Sequence, residues 1–164
     1  KKGSADLKKV SAESLFEYLR SMFGMNETIE FEYSYEPAAV LADFGMIQTV
    51  LVNLIDNAVK ASEPGGRIEI LGRRESGGYR FAVRDYGIGI PAEELSKIAQ
   101  AFYMVDKSRS RSRNGAGLGL ALCTEILALH GSKLEIDSTP GEGTCAGFLL
   151  REEGKEAGYE EIQS

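Results

Sequence analysis

Asn53-Leu54-Ile55-Asp56-Asn57-Ala58-Val59-Lys60 decides how the rest of the chain is read. At about 100° per residue, Asn53, Asn57 and Lys60 fall within roughly a 60° arc of one helix face. Ile47, Val50, Leu51, Leu54, Ile55, Ala58 and Val59 fill the opposite, wider sector and are expected to pack on a sheet. The polar stripe therefore runs along the edge of the apolar face, where side chains are partly covered and amides need partners. An Asn carbonyl oxygen suits a hard cation such as Mg²⁺, and a Lys ammonium suits triphosphate oxygens. Taken alone, the stripe also fits a plain solvated helix face.

Working outward, Asp43 can cap this helix, and Pro64-Gly65-Gly66 breaks it after about Ser62. Upstream, Ser11 opens a helical pattern carried by Leu15, Phe16, Leu19, Met22 and Phe23, with Glu13 and Ser14 supporting the cap. Residues 28–35 alternate, with Ile29, Phe31, Tyr33 and Tyr35 on one side, and Pro37 ends the strand. Downstream, strands are expected over 67–73 and 79–86, joined by Glu75-Ser76-Gly77-Gly78. Pro91 stands where a helix begins, and 100–117 reads as irregular, polar and basic. A helix over 118–130 is stopped by Gly131, and a hairpin over 133–138 and 144–150 turns at Pro140-Gly141-Glu142-Gly143. The order of strands and helices points to an α/β sandwich, one sheet with helices on one face. We divide the chain into a polar N-terminal remnant or linker (1–10), one domain (11–151) and an acidic tail (152–164).

Two further segments carry chemistry. In Asp85-Tyr86-Gly87-Ile88-Gly89-Ile90, period two places Asp85 on the same strand face as Phe81 and Val83. A carboxylate in that company tends to burial and then requires donors, of which the adenine exocyclic amine is one. Gly87 and Gly89 would let backbone approach a flat ring, though an ordinary Asp-led turn gives the same letters. Gly115-Ala116-Gly117-Leu118-Gly119-Leu120 leads into a helix whose first N–H groups attract phosphate. It is neither a Walker A loop, lacking Gly-Lys-Ser/Thr, nor a dinucleotide fingerprint, lacking the preceding first strand. Lys107, Arg109, Arg111 and Arg113, alternating with serines just upstream, suit a solvated loop or a lid that orders around anionic phosphates.

Composition narrows the class. With 164 residues and 43% hydrophobic content the chain supports one ordinary core. A net charge of −6 argues against nucleic acid or an anionic membrane surface as partner. Two cysteines, Cys123 and Cys145, and a single His130 disfavour a zinc site or disulfide scaffold and imply reduced cytoplasmic thiols. No stretch approaches the roughly 20 apolar residues of a membrane span.

In order and spacing these segments resemble the histidine-kinase branch of the superfamily shared by gyrase, Hsp90 and MutL ATPases. The Asn-rich helix matches its N box, Asp85-x-Gly87-x-Gly89 its first glycine box, and Phe102-Tyr103 its F box. Gly115-x-Gly117-Leu118-Gly119-Leu120 matches the second glycine box, and Gly141-Glu142-Gly143-Thr144 the final Gly-Thr element. The likeness covers about residues 11–150. It implies a two-layer α/β sandwich (Bergerat fold): a mixed, mostly antiparallel sheet, helices on one face, and an ATP lid. It implies ATP and Mg²⁺ as cofactors, with Asn57 on the metal, Asn53 supporting metal and phosphates, and Lys60 on phosphate. Asp85 would bind adenine N6, with Gly87, Gly89 and Ile90 alongside and Thr144 bracing the pocket. Phe102 and Tyr103 would anchor the lid. Lys107, Gly115, Gly117, Leu118, Gly119 and Leu120 would line the phosphates.

By the same likeness, hydrolytic relatives carry a Glu where this chain has Asn53, and an amide cannot activate water as a base. Transfer to another group, governed by positioning and electrostatics, is the implied reaction. Three departures stand out. Ala61 replaces a common aromatic, Met104 replaces a common Arg after the Phe-Tyr pair, and no phosphoacceptor His is present. Arg109 or Arg111, from the lid, is the expected stand-in for the missing Arg, with Arg109 taken as the catalytic candidate. His130 resembles the residue that closes the lid helix, a structural role. The expectation is therefore a monomeric catalytic domain whose acceptor His hairpin, and a membrane sensor beyond it, precede residue 1. A response regulator would be the downstream partner. A nucleotide-binding regulatory module and an anti-sigma-type Ser/Thr kinase are the alternatives.

Overall fold

The computed structural model describes residues 4–89 and 116–152. Five strands form one sheet: β2 (Glu30–Tyr35), β4 (Arg67–Glu75), β5 (Gly78–Asp85), β6 (Glu135–Thr139) and β7 (Gly143–Arg151). Their spatial order is β2-β4-β5-β7-β6, parallel only between β2 and β4. A separate two-stranded ribbon pairs β1 (Lys8–Ser11) with β3 (Ala39–Ala42). Three described helices complete the fold: α1 (Ala12–Phe23), α2 (Phe44–Ala61) and α3 (Ala116–Leu129).

Local chemistry sets the helix starts. The Ser11 hydroxyl accepts the Ser14 N–H and opens α1; the Asp43 carboxylate accepts the Met46 N–H and opens α2. The sheet face beneath the helices is apolar by alternation, with Ile68, Ile70, Tyr79, Phe81 and Val83 buried and their strand neighbours Glu69, Arg73 and Arg84 turned away. Phe81 is the hub, stacking on Phe16 of α1 at 5.8 Å and on Phe148 at 5.3 Å, with Tyr79 edge-on at 4.9 Å. Each such fully buried ring is worth about 1.5–3 kcal/mol in area alone. Gly72 is part of the same fit, because a Cβ there would strike the Phe16 ring. α3 packs on α2 and runs antiparallel to it: Gly119 lies over Asn53, Cys123 over Val50, and His130 against Asp43.

Several expectations need correction. Strand β3 did not show in the sequence, because Ala39-Val40-Leu41-Ala42 has no alternation. Lys8 to Val10, read as linker, pair with β3. β2 begins at Glu30, since the Asn26 side chain takes the Thr28 and Ile29 N–H groups into a turn. Met22 is 48% exposed and not part of the α1 core face. Glu152, assigned to the acidic tail, is buried and bridged to Val40. α3 opens at Ala116, earlier than the expected 118. The Pro91 helix start and the basic 100–115 stretch lie outside the described residues.

Candidate functional site

The site is assembled where the C-terminal end of α2 meets the exit of β5. Asp85 is the last residue of β5, 5% exposed, with Ile68 and Thr144 as its register partners on β4 and β7. Its Oδ1 accepts the Gly87 N–H at 2.9 Å. Burial pushes its carboxyl above the ordinary carboxylate range, and the Gly87 and Thr144 backbone N–H groups only partly offset that. The acid is held by neutral backbone donors alone, and among the described residues no cation forms an ion pair with it. Such a group is an acceptor that gains from any further donor brought to it.

Gly87 and Gly89 are explained by backbone crowding. A Cβ on Gly87 would run into the Ala61 carbonyl at the end of α2, and that same carbonyl accepts the Ile88 N–H at 3.3 Å. Gly89 has φ +76 and abuts the Thr139 carbonyl, while the Gly141 N–H bonds back to Ile88 O at 2.7 Å. The two glycines thus let one loop be clamped between α2 and the β6–β7 turn. That clamp, more than room for a ring, is what the structure requires of them. Ser138, which sequence reasoning passed over, joins the site through its hydroxyl at 2.7 Å from Thr144 Oγ1. Its signal was only a Ser on the strand facing Thr144.

One helical turn before Ala61 stands Asn57, about 6 Å back along the axis on the same face. Its amide nitrogen is the one buried side-chain polar atom without a partner among the described residues. A buried amide N–H₂ with no acceptor in the protein can donate to a polar ligand brought to it. One turn further back, Asn53 spends its Nδ2 on the Thr49 carbonyl at 3.0 Å, which leaves Oδ1 facing α3. Gly119 sits there so closely that a Cβ would lie 3.3 Å from that oxygen. Lys60 is paired with Asp56 at 3.2 Å; both are more than half exposed, so the pair is worth well under about 1 kcal/mol and is easily surrendered.

The structure therefore brings Asn53, Asn57, Asp85, Gly87, Gly89, Gly119 and Thr144 around one junction. Gly117 and Leu118 lie in the first described turn of α3. The Leu120 side chain is buried in the core, so only its backbone is available to a ligand. Ile90, Phe102, Tyr103, Lys107, Arg109 and Gly115 lie outside the described residues, as do Met104, Arg111 and Arg113. No cluster of His, Cys, Asp or Glu able to cage a metal exists among the described residues. A Mg²⁺ ion that keeps its waters and is held mostly by phosphates needs no cage, and one amide such as Asn57 fits that mode. No described helix is long and apolar enough to cross a membrane.

Known proteins are similar to this chain in sequence and fold. Sensor histidine kinase YkoH of Bacillus subtilis (strain 168) is 35% identical over 152 residues, covering 90% of this chain and 33% of YkoH. The mycobacterial sensor histidine kinase MprB superposes with a TM-score of 0.74 at 26% identity, covering 90% of this chain and 98% of that structure. Full-length ShkA, solved in complex with AMPPNP, gives 0.75 at 26% identity, covering 91% of this chain and 32% of that one. This chain thus spans about a third of YkoH. The family model described as "Histidine kinase-, DNA gyrase B-, and HSP90-like ATPase" matches residues 42–154, which include α2, the β5 exit and α3. The chain belongs to that family.

Proposed function

We propose that this domain holds Mg-ATP at the α2–β5 junction and presents its γ-phosphate to a histidine on a helical hairpin of the same protein. The observation that carries the reading is the buried, cation-free Asp85 facing the same junction as the partnerless amide of Asn57. Adenine supplies an exocyclic N–H₂ to the acid, which fixes one end of the nucleotide. The triphosphate then runs along α2 toward the first turn of α3, where Asn57, Asn53 and Lys60 offer an oxygen ligand, a second amide and a cation. Mg²⁺ bound there would draw charge from the phosphates; Asn57 Oδ1 would hold it. Gly117 and Gly119 keep the α3 N-terminus open to phosphate oxygens.

The choice of acceptor follows from Asn53. An amide already donating to its own helix is no base for water, so the site favours transfer over hydrolysis. Arg109, in the stretch upstream of α3, is proposed to stabilise the transferring phosphoryl group. The phosphorylated hairpin would then serve a response regulator, and the domain would work in the cytoplasm as a monomeric unit. The domain limits 11–151 are proposed with Lys8 to Val10 added, because they pair with β3, and Glu152 added, because it is buried and bridged to Val40.

The test is reconstitution. The chain is mixed with the His hairpin of its parent protein, Mg²⁺ and γ-labelled ATP, and acid-labile, base-stable phosphate on the hairpin is the expected product. Label on Ser or Thr of a partner would assign the reaction to the anti-sigma type instead. Tight ATP binding with no labelled acceptor at all would leave a regulatory nucleotide-binding module.

A further inference from the structure

His130 lies at the far end of α3 from the phosphates and takes part in none of the steps above. Its ring nevertheless closes a connection that the site depends on. Nε2 is 3.0 Å from the backbone N–H of Asp43, and Nδ1 is 2.9 Å from the Ile126 carbonyl. The Asp43 N–H can only donate and the Ile126 carbonyl can only accept. The ring is therefore the neutral tautomer with its proton on Nδ1 and its lone pair on Nε2.

Both partners occupy mechanical positions. Asp43 is the N-cap of α2: its Oδ1 accepts from Met46, its Oδ2 accepts from the Asp6 N–H at 2.9 Å, and its own N–H goes to His130. Ile126 and Leu127 are in the last turn of α3, which Gly131 (φ +69) and the Ser132 N–H on Leu127 O close off. One ring therefore ties the last turn of α3 to the first turn of α2. Because the two helices are antiparallel, fixing that end bears on the other, where a Cβ added at Gly119 would fall 3.3 Å from Asn53 Oδ1. Midway, Cys123, Ile126 and Leu127 of α3 join the core with Val50 and Leu51 of α2, and the polar contact there, the Cys123 thiol 3.7 Å from the Val50 carbonyl, is weak because a thiol is a weak donor.

We propose that His130 is a positioning residue for nucleotide binding. Its Nδ1-protonated ring locks the C-terminal end of α3 to the α2 cap and so sets where the N-terminal end of α3 meets the phosphates. This inference rests on the nucleotide site proposed above. The 3.6-residue turn makes helices stiff over this length, so a displacement at His130 is carried to Gly119 and Gly117 with little loss.

The test uses the whole chain and a non-hydrolysable ATP analogue with Mg²⁺, titrated by calorimetry at a temperature where every variant is folded. His130→Leu leaves the Asp43 N–H without an acceptor and should weaken analogue affinity by about tenfold, the scale of one lost hydrogen bond. His130→Gln, whose amide oxygen reaches the place of Nε2, should restore affinity to within about threefold of the parent. His130→Asn is too short to reach Asp43 and should behave as the Leu variant does, so it decides the matter if the Leu variant does not fold. Amide exchange in the first turn of α3 should quicken in the Leu and Asn variants and not in the Gln variant. Analogue affinity unchanged in Leu or Asn, with only the unfolding temperature lowered, overturns the inference and leaves His130 a stability residue. Failure of the parent chain itself to bind the analogue would instead overturn the nucleotide site.

Discussion

Two carboxylates are buried among the described residues, Asp85 and Glu152, and they are held in opposite ways. Glu152 sits at the end of β7, bridged to Val40, with the Arg74 guanidinium 2.8 Å from its Oε2. Its charge is neutralised by a side chain, and it joins the β1–β3 ribbon to the main sheet. Asp85 has no such partner among the described residues and accepts from the Gly87 and Thr144 backbone N–H groups. The first acid completes the fold. The second is left incomplete by it, and an incomplete buried charge persists where something other than stability maintains it.

The sharpest way to break this contrast is to remove the Asp85 charge. Asp85→Asn keeps the Gly87 N–H acceptor and the shape, but offers adenine a neutral and partly mis-polarised partner. ATP affinity should fall roughly 10- to 150-fold, the span expected for a hydrogen bond to a charged group. Stability should move the other way. Burial raises the Asp85 carboxyl in the folded chain, so the folded state binds that proton more readily than the unfolded state does. Its contribution is then favourable below the unfolded-state value and lost as pH climbs through the raised one, so at neutral pH the ionised acid is a net cost. Thermal unfolding of Asp85→Asn at pH 7 should therefore occur at the same temperature as the parent or higher. A clear drop would show that Asp85 is structural after all.

Glu152 should give the mirror result. Glu152→Gln leaves Arg74 unpaired, but Arg74 is largely exposed and recovers solvent, so the loss is about 1–2 kcal/mol and not the full cost of stranding a buried cation. For a domain of this size that is a fall of roughly 2–8 °C in unfolding temperature. ATP affinity should not change. If affinity dropped with stability, the two acids would not be separable and the comparison would lose its meaning.

The same distinction predicts a pH signature. In the proposed site, adenine would need the ionised form of Asp85, and that form is harder to reach than in an ordinary Asp. On acidification, affinity should begin to fall above the usual carboxylate range, before exposed acids titrate. In Asp85→Asn this limb should vanish, leaving only the titration of the nucleotide. A parent and variant with parallel profiles would mean another group sets the limb.

Much of this was legible in the sequence, and the parts that were not share a cause. Caps at Ser11 and Asp43 act within three residues, and the alternation that places Asp85 beside Val83 acts within one strand, so both could be read locally. Strand β3, the pairing of Lys8 to Val10, the burial of Glu152 and the tie through His130 all depend on partners remote in sequence. The glycines show both sides: Gly87 and Gly89 announced a tight loop, but the carbonyls of Ala61 and Thr139 that make it tight come from other elements. Ser138 was invisible because nothing in a Ser two residues before a turn marks it until Thr144 is laid beside it.

A smaller effect refines the site at its exposed edge. Lys60 is held by Asp56 one turn earlier, in a pair open to solvent. If Lys60 turns to phosphate when ATP binds, Asp56 both competes for it and repels the triphosphate. Asp56→Asn removes competitor and repulsion together, while giving up a helix pair worth only about 0.3–0.5 kcal/mol. Affinity for ATP should rise about two- to threefold in low salt and return toward the parent value near 0.15 M, where the Debye length of about 8 Å screens exposed charges. Lys60→Met should lose affinity under the same conditions, and should make the Asp56 change count for less. An Asp56 effect that persists unchanged in the Lys60→Met background would place its action on the nucleotide directly. The cation would then have no part in binding, and only the amides of α2 would face the phosphates.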